Sequence, residues 1–401
     1  MLWNAFGNLV YLGCQWLLVV LVTNLGEFRQ AGVLSLAMSV SATFQTVALF
    51  GIRHFQVSDT DGEFSDSAYV GFRFVTCLLS LLCCTAFSLI SGYFGETLLA
   101  ITLFLVFRLA ESVSDVLHGI AQKNARLDVA GKSFAIKGVG LLVLFFVTFR
   151  VSGNLNAGLA VIALFSLLTT FTYDWLVVRR LSDFKVRPNL RESLTMAGKT
   201  LPLCLYLFLF SAISTVPKLI LERISGEELL GVYSSIFAPA LLITSAANYL
   251  YAPFTTAFTG YWHAKDRKRF LALFCKIAGA ILLVGVAVLL AAHFFGNFFL
   301  SLIFGEKILP YTGLFPWILV AVLCVALMSF LCMLEIVLRD IPGLIAGCGC
   351  GLLLEAIATP FLIRGCEANG ASFGLIAASL AALAILLSRM LILLHRAERT
   401  E

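Results

Sequence analysis

Apolar residues in this chain come in solid blocks of about twenty, one after another, with short polar breaks between them. Twelve blocks stand out, over about residues 7–25, 31–51, 69–92, 98–120, 134–150, 157–178, 200–222, 229–256, 271–294, 313–336, 342–363 and 371–394. A helix rising ~1.5 Å per residue needs about 20 apolar residues to cross a hydrocarbon layer ~30 Å thick. The blocks do not alternate polar with apolar residues, so they are not barrel strands. The pattern predicts an all-α polytopic membrane protein of about twelve transmembrane helices.

One block carries charge. The run 98–107 continues into a segment where Arg108, Glu111, Asp115, His118 and Gln122 follow at steps of three and four. On a helix these share one stripe, opposite Leu109, Val113, Val116, Leu117 and Ile120. A charge near the bilayer centre costs about 2.5–3.5 kcal/mol on the insertion scale, so the stripe must face protein or water. Two readings are open: the wall of an internal cavity, or an ion-paired packing seam. Two carboxylates one turn apart in a low dielectric resist being charged together. Glu111, Asp115 and His118 are therefore candidates for proton or cation coupling.

Composition fits a membrane chain: 60% hydrophobic and 13% charged, against about 45–50% and 25% in soluble proteins. The net charge of +5 is confined to a few loops and carries no nucleic-acid footprint. Lys and Arg alternate between loops. The rich set holds Arg53; Lys123, Arg126, Lys132 and Lys137; Arg179, Arg180, Lys185, Arg187, Arg191 and Lys199; Lys265 to Arg269; Arg339; and Arg396 with Arg399. The poor set has Arg29, Arg150, Arg223, Lys307 and Arg364. The positive-inside rule makes the rich set, and with it both termini, cytoplasmic. The basic stretch Arg179–Lys199 divides the chain into an N-terminal bundle (1–178), a linker (179–199) and a C-terminal bundle (200–401). The linker either lies on anionic headgroups or is simply solvated.

The two halves look related. Gly26-Glu27, Gly32-Val33 and Ser35 match Gly226-Glu227, Gly231-Val232 and Ser234 at the same place in each half. Six-span halves end on the side where they start, so the expectation is two bundles related by a pseudo-two-fold along the membrane normal. Pro202 and Pro217 are expected to interrupt the seventh span, and Pro239 and Pro253 the eighth. Lys218, next to Pro217, either meets an anionic ligand or snorkels to the headgroups. Asp174 reads as an interfacial ion pair with Arg179, Arg73 as interfacial, and Glu335 as near an inner end. Glu355 is deeper and joins the coupling candidates. Gly343, Gly347, Gly349, Gly351, Gly370, Gly374, Ala377 and Ala378 permit close helix packing.

The eleven cysteines fall almost all within apolar blocks and read as small buried apolar residues, with no metal-ligand spacing. No phosphate loop, HExxH or GxSxG motif is present, so no catalytic residue, metal or cofactor is expected. Without a basic leader or cleavage signal, the first block is expected to stay as an anchor.

Several segments together resemble a known family. They are Asn8, Gln15 and the run to Leu25-Gly26; Gly32-Val-Leu-Ser-Leu36; Phe50-Gly51-Ile52; Arg108 through Gly119-Ile-Ala-Gln122; Lys218-Leu-Ile-Leu with Gly226 and Leu230-Gly-Val-Tyr-Ser234; Ile303-Phe-Gly-Glu-Lys307 with Tyr311; and Gly370-Ala-Ser-Phe-Gly374. In order and spacing, over nearly the whole chain, they resemble the polysaccharide or lipid-linked oligosaccharide flippases of the multidrug/oligosaccharidyl-lipid/polysaccharide exporter (MOP) superfamily. Two features depart from that pattern: Pro217 stands where an acidic residue usually precedes the span-seven cation, and the usual basic N-terminal segment is not seen.

The resemblance implies a non-enzymatic transporter of the bacterial cytoplasmic membrane. It would pass an undecaprenyl-diphosphate-linked glycan of O-antigen, capsule or exopolysaccharide to the outer leaflet by alternating access. Its implied partners are that glycan lipid, membrane lipids, a glycan polymerase and glycosyltransferases, with no nucleic acid. The diphosphate would need cavity cations, for which Arg108 and Lys218 rank ahead of Arg53 and Arg73. The alternative is a cation-coupled multidrug-type antiporter using Glu111, Asp115 and Glu355. A membrane glycan polymerase ranks last, because the longest outer segment, Gly296–Thr312, is short and mostly apolar.

Overall fold

The computed structural model describes residues 2–59, 62–186 and 189–399, and among them there is no strand. Arg187 and the side chain of Arg399, counted above among the basic residues, lie outside the described residues. The helices are α1 (Leu2–Leu25), α2 (Phe28–Leu49), the short α3 (Ile52–Ser58), α4 (Asp66–Ile90), α5 (Gly95–Lys123), α6 (Leu127–Ser152) and α7 (Leu155–Thr169). A π-helical turn (Thr170–Asp174) joins α7 to α8 (Trp175–Arg179). Then come α9 (Leu190–Tyr251), α10 (Thr255–His263), α11 (Arg267–Phe304), α12 (Phe315–Val337), α13 (Ile341–Cys366) and α14 (Asn369–Arg399).

Among the described residues, eleven helical segments are long and apolar enough to cross a membrane. The one over Leu190–His263 is broken at Gly226, whose φ of 85° suits a residue without Cβ. That break makes twelve crossings. It falls at the residue matching Gly26, just before Glu227, as Gly26 precedes Glu27 at the start of α2. The outer faces are apolar: on α11, Leu283, Phe294, Phe298 and Leu302 are all exposed, as a chain solvated by lipid requires.

Helix starts are set by side-chain caps. Glu27 and Gln30 form a capping box on α2. Ser65, Asn154, Asp266 and Asp340 accept from the first-turn N–H groups of α4, α7, α11 and α13. These are donors that no helical partner satisfies.

Three expectations change. Pro202, Pro217 and Pro239 do not interrupt α9, where Gly226 alone leaves helical geometry; only Pro253 sits in a break, the 3-10 turn Ala252–Phe254. Packed membrane helices tolerate the missing N–H because neighbouring groups satisfy the freed carbonyl. Lys137 is not in a loop but buried well inside α6. Cys83, Cys275 and Cys350 are exposed rather than buried, because an apolar exterior accepts them as readily as a core.

Two compact units divide between Ser211 and Ala212, within α9. In the first, Met1–Ser211, α5 packs against α2, α4 and α7. Helix α9 starts at Leu190, inside the stretch read as a linker, with Asn189 Oδ1 accepting from Arg191 N at 3.1 Å. Ser193, Met196, Thr200 and Cys204 are buried at steps of three and four and form one face, and Met196 and Cys204 join the apolar core built on α4 and α5. Residues 182–185 dock as well. Ser182 donates to Asp66 at 2.6 Å, and Phe184 packs edge-on to Trp175 at 4.9 Å.

In the second unit, Ala212–Glu401, α13 lies tightly along α14. Gly347, Gly351, Gly370 and Gly374 each have atoms of the other helix where a Cβ would stand. Arg389 closes one end of that seam with a bidentate pair to Asp340, both bonds 2.8 Å.

In the first unit α1 meets α6 at Gly7 and Gly131, where a Cβ on Gly131 would stand 2.1 Å from the Trp3 carbonyl oxygen. Gly131→Ala should therefore push α1 off α6 and lower stability by about 1–3 kcal/mol. Gly13→Ala, on α1 with open space around it, should leave the melting temperature in detergent unchanged. Equal melting of the two variants would contradict the close packing.

Candidate functional site

The site begins where α2 stops. Phe50 and Gly51 are both left-handed, with φ of 50° and 66°, and turn the chain from α2 into α3. The turn leaves the Ala48 carbonyl without a helical donor. Two residues of α4 supply donors: Thr76 Oγ1 at 2.7 Å, and Arg73 through Nη1. A cation at the C-terminal end of α2 also suits the helix dipole.

Arg73 is entirely buried, and its Nη2 reaches Asp115 Oδ2 of α5 at 3.0 Å. The other carboxylate oxygen, Oδ1, takes Arg53 Nη1 of α3 at 2.9 Å. Arg53 also donates to the Asp115 carbonyl at 3.1 Å and to Gln122 Oε1 at 3.0 Å. Helix α3 is tied to α5 again by Gln56 Nε2, which donates to the Val116 carbonyl at 3.2 Å.

Three helices thus converge on one carboxylate with two arginines, a cluster with one positive charge in excess. Arg53 and Asp115 are 28% and 24% exposed, while Arg73 has no exposed side-chain surface. They face a cavity of about 520 Å³ lined by Leu49, Gly51, Ile52, Arg53, Val57, Ser58, Asp115, Gln122 and Leu207. Arg73, read from sequence as interfacial, is instead the buried anchor of this site. Its position near the start of a span hides the fact that α4 tilts it onto the end of α2.

The α5 stripe splits into three. Asp115 and Gln122 line the cavity. Arg108 pairs with Glu111 at 2.9 Å, mostly buried, with its guanidinium carbon 5.3 and 5.6 Å from the ring centres of Phe104 and Phe107. His118 leaves the stripe. At ~100° per residue it lies at the stripe's edge, closer to Ser114 than to Asp115.

Ser114 and His118 meet a buried network. His118 Nε2 is 3.1 Å from Asp174 Oδ1, and Ser114 donates to Asp174 Oδ2 at 2.7 Å. Lys137 of α6 donates to Asp174 at 2.9 Å, to Thr170 at 3.0 Å and to Ser114. The lysine's three protons are thereby all used.

Asp174 is therefore not an interfacial partner of Arg179, which is exposed. The π-helical turn sets Thr170 and Asp174 on one inward face, and Arg179, five residues on, points about 140° away. The sequence reading missed this network. The available signal was Lys137 itself, flanked by Ile136 and Gly138 inside an apolar block.

In the second unit, Lys218 Nζ lies 4.6 Å from the centre of the Phe237 ring. Glu335 and Glu355 are fully buried, and the carboxylate oxygens of Glu355 have no hydrogen-bond partner among the described residues.

Beside the first unit's cavity, Asp59 organises the loop after α3. It accepts from Glu63 N at 2.9 Å, Phe64 N at 3.2 Å and Tyr69 Oη at 2.8 Å. Burial, the largest influence, pushes its pKa up. The three donors and the nearby Lys123 together outweigh it, so the carboxyl titrates below its ordinary 3.8. Lys199 pairs with Glu63 and covers the rings of Phe55 and Phe64 at 5.7 and 5.5 Å.

Helices of this number, length and arrangement define a multi-pass membrane fold, and solved structures share it. An inward-facing multidrug resistance MATE family transporter of the MOP superfamily superposes with a TM-score of 0.77, covering 99% of this chain and 96% of that one at 15% identity. The lipid II flippase MurJ, in an inward closed conformation, gives 0.76 over 97% and 87% of the two chains at 11% identity. This chain shares the fold of both structures. In sequence it is similar to the capsular polysaccharide biosynthesis protein CapF of Staphylococcus aureus, 23% identical over 302 residues, 75% of each chain. No family model matches the chain.

Two outcomes are expected. Lys137→Met strands a buried carboxylate and should cost about 3–5 kcal/mol, whereas Lys137→Met with Asp174→Leu removes both charges and should regain most of that. Thermal unfolding in detergent reads the difference, and a double variant no more stable than the single would exclude a paired network. For Asp59, a lowered folded pKa means its contribution is complete above 3.8 and fades as pH falls below it. Asp59→Asn should therefore melt lower than the parent chain at neutral pH, with the two curves converging in acid.

Proposed function

We propose that this chain is a transporter that moves a lipid-linked, diphosphate-bearing glycan from the cytoplasmic to the outer leaflet of a bacterial cytoplasmic membrane, by alternating access. One observation carries the reading: the Arg53–Arg73–Asp115 cluster holds a cation in excess beside an open cavity. A diphosphate has about two negative charges and cannot enter hydrocarbon without a cationic, shielded path. Arginine suits that task because its planar fork holds phosphate oxygens in pairs and keeps its charge when partly buried. The similarity to CapF and the fold shared with MurJ support the substrate class.

This ranks the cations differently from the sequence reading. Arg53 moves to the front. Arg108 becomes a second contact whose charge Glu111 already balances, and Lys218 is kept as the candidate of the second unit. The cytoplasmic placing of both termini and of Arg179–Lys199 is part of the same proposal, and the partner enzymes stay with it.

A cation-coupled multidrug antiporter is the second reading. It is favoured by Glu355, a buried carboxylate without a hydrogen-bond partner among the described residues, and by the fold shared with the MATE transporter.

Vesicles containing the purified protein separate the two. A fluorescent undecaprenyl-diphosphate oligosaccharide should change leaflet, Arg53→Ala should abolish this at normal protein level, and Arg53→Lys should recover part of the rate. Transport of an organic cation that is lost in Glu355→Gln, with no glycan movement, would favour the antiporter. The double variant Arg108→Ala with Glu111→Ala tests Arg108 without stranding Glu111: loss of export in a stable protein assigns it a substrate contact. For topology, a membrane-impermeant thiol reagent added outside intact cells should reach Asn154→Cys and miss Lys185→Cys, in a background cleared of reactive native cysteines.

A further inference from the structure

We infer that Asp115 is a built-in counter-ion that occupies Arg53 until a diphosphate displaces it, leaving Arg73 behind to keep Asp115 paired. The inference rests on the phosphate reading above and concerns how that site is loaded.

The two arginines on Asp115 are not equivalent. Arg73 is inaccessible, reaches Asp115 Oδ2, and is held at its other nitrogen by the carbonyl that ends α2. Arg53 sits on the short helix α3, a quarter exposed, and uses Asp115 Oδ1, the Asp115 carbonyl and Gln122 Oε1, of which Asp115 and Gln122 also line the cavity. An anion entering the cavity can therefore reach Arg53 but not Arg73.

When Arg53 turns to the anion, Asp115 keeps an ion pair with Arg73, and Gln122 stays at the cavity wall, where water can replace the lost donor. No buried charge is stranded. Removing the sole partner of a buried charge is the costly event in such sites, and two arginines on one aspartate avoid it.

Arg108 lacks this provision. Among the described residues Glu111 forms an ion pair with Arg108 alone, and its second carboxylate oxygen is buried with no hydrogen-bond partner. Turning Arg108 to a ligand would expose the deficit that the Asp115 cluster escapes. Arg53 is thus the exchangeable cation of the unit, Arg73 the fixed one, and Asp115 sets how tightly the empty site holds its place for an anion.

The test is binding of inorganic pyrophosphate to the full chain in detergent, followed by calorimetry. The parent chain should bind, and Asp115→Asn, which removes the competitor, should bind about tenfold tighter. Asp115→Asn also removes the charge that balances buried Arg73, so its melting temperature is measured alongside. Should it fail to fold, Gln122→Leu releases Arg53 without touching Arg73 and should tighten binding several-fold. Arg53→Ala should abolish binding in any background.

Farnesyl diphosphate, titrated in parallel, distinguishes a lipid-borne diphosphate, which it should mimic with higher affinity, from a free one, which would show no preference. The Asp115→Asn or Gln122→Leu gain is required in both cases. Pyrophosphate binding that is lost in Arg53→Ala but unchanged or weaker in Asp115→Asn and Gln122→Leu would overturn the counter-ion role and leave the phosphate reading standing. No binding by the parent chain or any folded variant would overturn both.

Discussion

A charge inside a membrane helix has no water to lean on, and the first unit is arranged around that constraint. Helix α5 brings Arg108, Glu111, Asp115 and His118 into the apolar interior, where Arg108 and Glu111 pair with each other and Asp115 and His118 find partners on neighbouring elements. Arg53 comes from α3, Arg73 from α4, Lys137 from α6 and Asp174 from the π-helical turn. These contacts tie the helices together where apolar packing alone would be weakly specific, since lipid tails solvate leucine as well as another leucine does. Small residues do the same work without charge, at Gly7 against Gly131 and along α13 and α14.

The ionic contacts fall into two kinds with different consequences. Lys137 and Asp174 are balanced one to one, both buried, with their remaining capacity taken up by Ser114, Thr170 and His118. Such a network holds α5, α6 and the end of α7 in register, with the lysine and the carboxylate balancing each other. The Asp115 cluster is unbalanced and open to a cavity of about 520 Å³. An excess charge in that position is costly unless something repays it, which is why the cluster, more than the charged stripe as a whole, points to a ligand. The fold supports more than one transport chemistry, and the choice between an anionic lipid and an organic cation therefore turns on this local charge balance.

Legibility varied along the chain for physical reasons. The apolar blocks set the number of crossings, because the thickness of the hydrocarbon layer fixes the length of a span, although the helices run past the block ends. Gly226 was readable as a break from its match to Gly26. The prolines were misread: in a packed membrane helix the missing N–H is absorbed by neighbours that no single segment reveals. The linker was misread in part, because the buried face of Ser193, Met196, Thr200 and Cys204 is legible only once there is a core for it to cover.

Within the site, the sequence alone determined that α5 carries charges at helical spacing and that they must face protein or water. That follows from periodicity and from the insertion cost of a charge, both local properties. It could not determine which charge meets which. Arg73 was hidden near a span end, Lys137 was counted with a loop, and Asp174 was assigned to Arg179, because pairing depends on helix tilt, on the left-handed turn at Phe50 and Gly51, and on the extra residue of the π-helical turn. Only the tertiary structure decided that Asp115 holds two arginines while Glu111 holds one. That difference arises from where α3 and α4 end against α5, a packing relation between segments far apart in sequence.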